Sequence, residues 1–149
     1  MTEAEHTQIE ARPLLLYDGV CALCNHLVRF LLKRDHRATL RFAPLESPLG
    51  REILARFGLL APPGGIVLIT GTLTPSERLH HRSSAIAEAL QLLDNPWKTM
   101  GQTLSRLPLP LREPAYRLIA RLRYRLFGRF PTCPIPTPEE RSRILGVCE

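Results

Sequence analysis

Two cysteines stand three residues apart in the run Asp18-Gly19-Val20-Cys21-Ala22-Leu23-Cys24. On a helix that spacing puts both thiols on one face, close enough to form a disulfide. At a helix start, unpaired N–H groups and the helix dipole favour thiolate over thiol. One thiolate can then attack a disulfide while its neighbour resolves the mixed intermediate. Cys21 lies nearer the helix start, so it is expected to be the more exposed and more acidic thiol and the attacking nucleophile, with Cys24 as the resolving partner. Asp18 has two candidate jobs: capping the helix by accepting the Cys21 N–H, or accepting the Cys24 proton when the mixed disulfide resolves. Its carboxylate opposes ionisation of Cys21 while the helix dipole promotes it, and Ala22-Leu23 adds no cation to tip the balance. The expectation is a mild reductant, with a thiol pKa modestly below that of free cysteine.

Other residues can join or compete with this chemistry. His26, two residues past Cys24, can assist it, bind a metal or sit on the helix surface. His80 and His81 fall on a short strand, where alternation aims one of them inward. Cys133, in a proline-rich turn over residues 131–138, can be a third redox thiol, a metal ligand or a packed small residue. Cys148, second from the chain end, is expected to be exposed and incidental. Cys21, Cys24 and Cys133 with His26 or Cys148 would supply four zinc ligands, which makes a zinc-binding or structural module the first alternative to an enzyme. Structural zinc sites, however, normally show two compact ligand pairs, and the second pair is missing.

A second alternative comes from Arg112, Arg117, Arg121, Arg123, Arg125 and Arg129, which are opposed in their segment only by Glu113. Such a cluster suits an acidic partner, a nucleic-acid backbone or an anionic membrane surface, or it is a solvated face whose stems cover apolar surface. Nucleic acid is disfavoured, because Tyr116, Tyr124 and a terminal Phe127 make no stacking platform for single strands.

The elements that must position the cysteines can be read from periodicity. Leu14 to Tyr17 is a short continuous apolar run, a buried strand, and Gly19 permits the turn after it. A helix from about Val20 to Arg34 carries Leu23, Leu27, Phe30 and Leu31 at helical spacing. Leu40 to Ala43 is a second strand, and Ser47-Pro48 an N-cap with proline at the first helical position. Leu49, Ile53, Leu54 and Phe57 give this second helix its apolar face, and Gly58 ends it. Ile66 to Ile69 is a third strand, paired through a hairpin with Arg78 to His81, and Ser83 or Ser84 caps the next helix. The order strand, helix, strand, helix, strand, strand, helix is that of an α/β thioredoxin-like sandwich, a βαβ unit plus a β-hairpin and helix. The remainder is expected to be an added C-terminal helical segment: Trp97 to Leu107, a stiff connector at Leu107-Pro108-Leu109-Pro110, a longer helix opened by Glu113-Pro114 and ended at Gly128, and a last short helix behind the capping box Thr137/Glu140.

With 149 residues, 44% hydrophobic and 23% charged, the chain suits one globular domain. The expected organisation is a single domain over residues 13–149, with 97–149 as the helical extension and 1–12 as a flexible N-terminal segment. That segment is polar, carries Glu3, Glu5 and Glu10, and lacks the basic and apolar regions of a signal peptide. No apolar run reaches the roughly 18 residues of a membrane helix. A cytoplasmic setting is expected, where C-x-x-C serves redox or metal chemistry.

Taken together, Tyr17-Asp18-Gly19-Val20-Cys21-Ala22-Leu23-Cys24-Asn25, Arg34-Asp35 and Leu40-Arg41-Phe42-Ala43-Pro44-Leu45 resemble the DCC family of predicted thiol-disulfide oxidoreductases. Ser84-Ala85-Ile86, Pro114-Ala115-Tyr116, Ala120-Arg121, Arg123-Tyr124, Leu126-Phe127-Gly128, Cys133 and Pro138-Glu139 extend the likeness over about residues 13 to 145. The resemblance implies a thioredoxin-like fold and a protein-disulfide or dithiol reductase, with Cys21, Cys24 and Asp18 at the site and no cofactor. Its partners would be a disulfide-containing protein or small thiol substrate and an upstream dithiol reductant. Thioredoxin-like enzymes also usually carry a cis-proline just before the third strand, and Pro63 is the candidate here.

Overall fold

The computed structural model describes residues 1–59, 65–129 and 137–146. Its sheet has four strands, β1 (Leu14–Tyr17), β2 (Arg41–Pro44), β3 (Ile66–Thr70) and β4 (Arg78–His81), in the order β2-β1-β3-β4. β1 and β2 are parallel, and β3 runs antiparallel to both β1 and β4. Every residue of β1 and β2 is buried, which explains why these strands read as continuous rather than alternating sequence. Alternate residues then serve two cores. Leu15, Tyr17, Phe42 and Leu68 pack with Val28, Leu31 and Ala85 of the helices α2 (Ala22–Arg34) and α4 (Arg82–Gln91). Leu14, Leu16, Val67 and Ile69 face Leu49, Ile53 and Leu54 of α3 (Pro48–Arg56) on the other side. The expected α/β thioredoxin-like sandwich with an added C-terminal helix is therefore the fold. Among the described residues no helix is long and apolar enough to cross a membrane.

Ser47 caps α3 as expected, its hydroxyl accepting the Gly50 N–H at 3.0 Å, and Gly58 lies just past the helix with φ +71°. Other local expectations were displaced by tertiary contacts. The segment expected to be flexible, residues 1–12, contains the helix α1 (Glu3–Ile9). Thr2 and Glu5 form a reciprocal capping box, and Ile9 is fully buried against the α3 side of the sheet. One apolar anchor in seven residues leaves no periodicity to read.

Neither Ser83 nor Ser84 caps α4, whose N-cap is His81 with no side-chain bond. Ser83 instead lies in the first turn and donates to Glu113 Oε1 at 2.6 Å, while Arg82 pairs with the same carboxylate at 3.4 Å. This polar tie fastens α4 to α6 (Leu109–Phe127). Helix α6 begins ahead of Pro114, which sits inside it; proline as a start signal does not distinguish Pro110 from Pro114. The helix α5 (Trp97–Arg106) packs against α4 and ends one residue before the expected boundary. Thr137 and Glu140 form the expected capping box, but the helix behind it is a single 3-10 turn, Glu140–Ser142. Beyond that turn Phe42 donates to Arg143 O at 2.9 Å and Leu145 to Phe42 O at 2.7 Å, so the chain covers the free edge of β2. Arg143 also pairs with the buried Asp35.

Candidate active site

β1 ends at Tyr17, and the turn from Asp18 to Val20 delivers Cys21 to the head of α2. Asp18 closes that turn: its Oδ1 accepts the Val20 N–H at 3.1 Å and its carbonyl accepts the Cys21 N–H at 3.2 Å. The buried Asn25 ties the turn to the helix, donating to Gly19 O and Cys21 O, each at 2.9 Å. Cys21 itself is the N-cap of α2, and its Sγ accepts the Cys24 N–H at 3.5 Å. Asp18 therefore does not cap the helix, contrary to one of its two expected jobs. The carboxylate is occupied by the turn and by residues far along the chain.

Both cysteines are free thiols and both are buried: Cys21 is 0% and Cys24 3% exposed. The expected exposure of Cys21 is overturned because the chain leaving α6 lies along the motif. Cys21 forms an antiparallel bridge with Arg129, and Ala22 donates to Gly128 O at 3.3 Å. Burial pushes the Cys24 thiol pKa up, the neighbouring Cys21 adds to the rise, and Arg123 offsets part of it.

Helix α6 supplies the remaining groups. The Tyr124 hydroxyl donates to Asp18 Oδ2, and Arg123 Nη2 lies 3.3 Å from the same oxygen. The Arg123 guanidinium also stands 4.8 Å from the centre of the Tyr124 ring. Gly65 makes the room: at φ +75° it carries no side chain, and a Cβ there would collide with Arg123 Nη1. The carbonyl of Gly65 accepts the Asp18 N–H at 3.1 Å, so the chain entering β3 joins the same cluster. From the other side Glu46 Oε2 accepts the Gly19 N–H at 3.3 Å. Glu46 is exposed as a residue, but its carboxyl end is tucked against Asp18, and burial together with that carboxylate raises its pKa.

Beside this cluster is a cavity of about 230 Å³ walled by Cys24, Leu23 and Leu27 of α2, Ile86 of α4, and Tyr116 and Arg123 of α6. Burial, with a contribution from Cys24, pushes the Tyr116 hydroxyl up to about 12.

The structure thus brings Cys21, Cys24 and Asp18 together and adds Arg123, Tyr124 and Glu46, which spacing alone did not assign to the site. Two signals were available: Arg123-Tyr124 is one of the motifs that carry the family resemblance, and Arg123 falls off the four-residue row of Arg117, Arg121 and Arg125. That row is exposed, while Arg123 turns inward. His26 is exposed on α2, His80 meets Thr70 Oγ1 at 3.4 Å, and His81 is exposed at the start of α4. Pro63, Cys133 and Cys148 lie outside the described residues. Among the described residues no three metal-binding side chains gather.

A thioredoxin-like fold with two thiols at the head of the helix after β1 defines the class. The model of the DCC1-like thiol-disulfide oxidoreductase family matches residues 15–129, and the chain belongs to that family. It is 32% identical over 126 residues to a chloroplastic DCC family protein of Arabidopsis thaliana, covering 85% of this chain and 71% of that protein. It is also 32% identical over 133 residues to the uncharacterized protein YuxK of Bacillus subtilis, covering 89% and 93% respectively. No solved structure matches.

Proposed function

We propose that this protein is a dithiol–disulfide oxidoreductase of the protein-disulfide reductase type, working through Cys21 and Cys24. The observation that carries the proposal is the N-cap arrangement, in which Cys21 Sγ accepts a helix N–H with the second thiol one turn away. A sulfur held there receives a helix N–H and faces the positive end of the helix dipole, the position from which it can attack a disulfide. The raised pKa of Cys24 keeps that thiol protonated until it is needed.

In the forward half-reaction the Cys21 thiolate attacks one sulfur of a substrate disulfide. The substrate S–S bond breaks, a Cys21 mixed disulfide forms, and the departing thiolate takes up a proton. Cys24 then gives its proton to the Asp18 carboxylate and attacks Cys21 Sγ, forming the Cys21–Cys24 disulfide and releasing the second substrate thiolate. Two electrons pass from the dithiol to the substrate, and an external dithiol reductant restores the pair. A disulfide-bearing protein or small thiol substrate, an upstream dithiol donor and a cytoplasmic setting complete the proposal.

The test is reduction of a peptide disulfide by the pre-reduced protein, followed with Cys21→Ser as control. One substrate disulfide should be reduced per Cys21–Cys24 pair, and the variant should fall to the buffer rate. Equal rates for the two proteins would sink the assignment. About one equivalent of zinc in freshly purified protein would favour the metal module instead.

A further inference from the structure

We propose that Arg123 is a positioning residue for the dithiol: α6 delivers its guanidinium to supply the positive charge that stabilises the thiolate of the Cys21–Cys24 pair. The inference rests on the dithiol assignment above and concerns a group about a hundred residues away in sequence. Arginines on the same helix, at positions 117, 121 and 125, point to solvent. Arg123 alone in that stretch is turned against Asp18 and shares a cavity wall with Cys24. Turning a guanidinium inward costs hydration unless negative charge meets it. Its seat is also built for it, because Gly65 leaves free the space a Cβ would take from Nη1.

The neighbouring charges give the placement its chemical meaning. Asp18 contacts Arg123 directly, and Glu46 lies behind Asp18. Tyr124 and Tyr116 of α6, both with raised pKa values, are neutral hydroxyls at physiological pH. Arg129 stands over the Tyr124 ring, and Arg82 of α4 with its partner Glu113 of α6 acts on the Tyr116 hydroxyl. Arg123 is the cation on the cavity wall that holds Cys24, so without it a thiolate in this cluster would form near the Asp18 carboxylate with no positive side chain on that wall. Both Cys24 and Cys21 in turn favour the charged form of Arg123, against the burial that opposes it.

The experiment is the pH profile of carboxamidomethylation at Cys21 and at Cys24, read by peptide fragmentation, for wild type, Arg123→Met and Arg123→Lys. Replacing the cation with methionine should move the lower-pH thiol's profile upward by about one pH unit. Lysine, which keeps the charge but not the fork, should restore most of the shift. The reduction potential should fall in Arg123→Met, because the reduced thiolate has lost a stabilising partner. An unchanged profile in Arg123→Met overturns the inference. So does an equal displacement in Arg123→Lys, since shape rather than charge would then be responsible. Should Arg123→Met fail to fold, Arg123→Gln takes its place against lysine. Alkylation needs no turnover, so failure to reduce a disulfide would sink the proposed function while the profile still decides the role of Arg123.

Discussion

Asp18 sits where two demands conflict. As an anion beside the thiols it opposes thiolate formation, while as a proton acceptor it serves the resolving step. Its contacts with Tyr124, Arg123 and the Val20 N–H hold the carboxylate in one orientation inside the cluster. Replacing it by asparagine separates the two roles. In Asp18→Asn, attack by Cys21 should be unimpaired or faster, whereas resolution by Cys24 should slow by about 100-fold. Trapping the mixed disulfide by acid quench and mass measurement checks this, and a variant that resolves at the wild-type rate refutes the proton-acceptor role. At this scale the cysteine spacing and the aspartate were legible in the sequence. The partners of the aspartate were not, because Tyr124 is 106 residues away and no local pattern couples it to the turn.

Among the elements, α1 and α6 contribute what periodicity could not reveal. Ile9 is fully buried, closing the α3 side of the sheet beside Leu14 and Leu16. Truncating it in Ile9→Ala should cost about 3 kcal/mol, within the usual range for a buried aliphatic residue. Urea denaturation measures this, and a loss under about 0.5 kcal/mol would mean that α1 does not contribute to the core. Helix α6 has no fully buried residue, yet it carries Arg123 and Tyr124 onto the turn. It is held there by the Ser83–Glu113–Arg82 tie rather than by a deep apolar seam. This explains why its leucine and arginine rows looked like an ordinary solvated helix. The decisive contacts are polar and lie between distant elements.

For the molecule as a whole, the raised pKa of Cys24 links folding to pH. Burial and the adjacent Cys21 favour the protonated thiol in the folded state relative to the unfolded chain. The native state therefore holds its proton to higher pH, and this contribution to stability is complete below the unfolded thiol pKa of about 8.5. It is lost progressively as pH rises above that value. The Tm of the reduced protein should accordingly decline above a pH of about 8.5, and Cys24→Ala should flatten the decline. Thermal scans at several pH values make the comparison; an identical slope in the variant would assign the loss elsewhere. Tyr116 contributes in the same direction only at higher pH, because an ordinary tyrosine titrates near about 10.

Local sequence was enough to define the sheet, the helix after β1 and the placement of two thiols at its start. Those features depend on short-range apolar runs, caps and a three-residue spacing, all written within a few neighbouring positions. Packing between distant elements settled that both thiols are buried, that Cys21 rather than Asp18 caps the helix, and that Arg123 and Tyr124 belong to the cluster. These outcomes depend on where the end of α6 comes to rest on the turn after β1. That contact joins residues about a hundred positions apart through hydrogen bonds and charge, which leave no periodic trace in either segment.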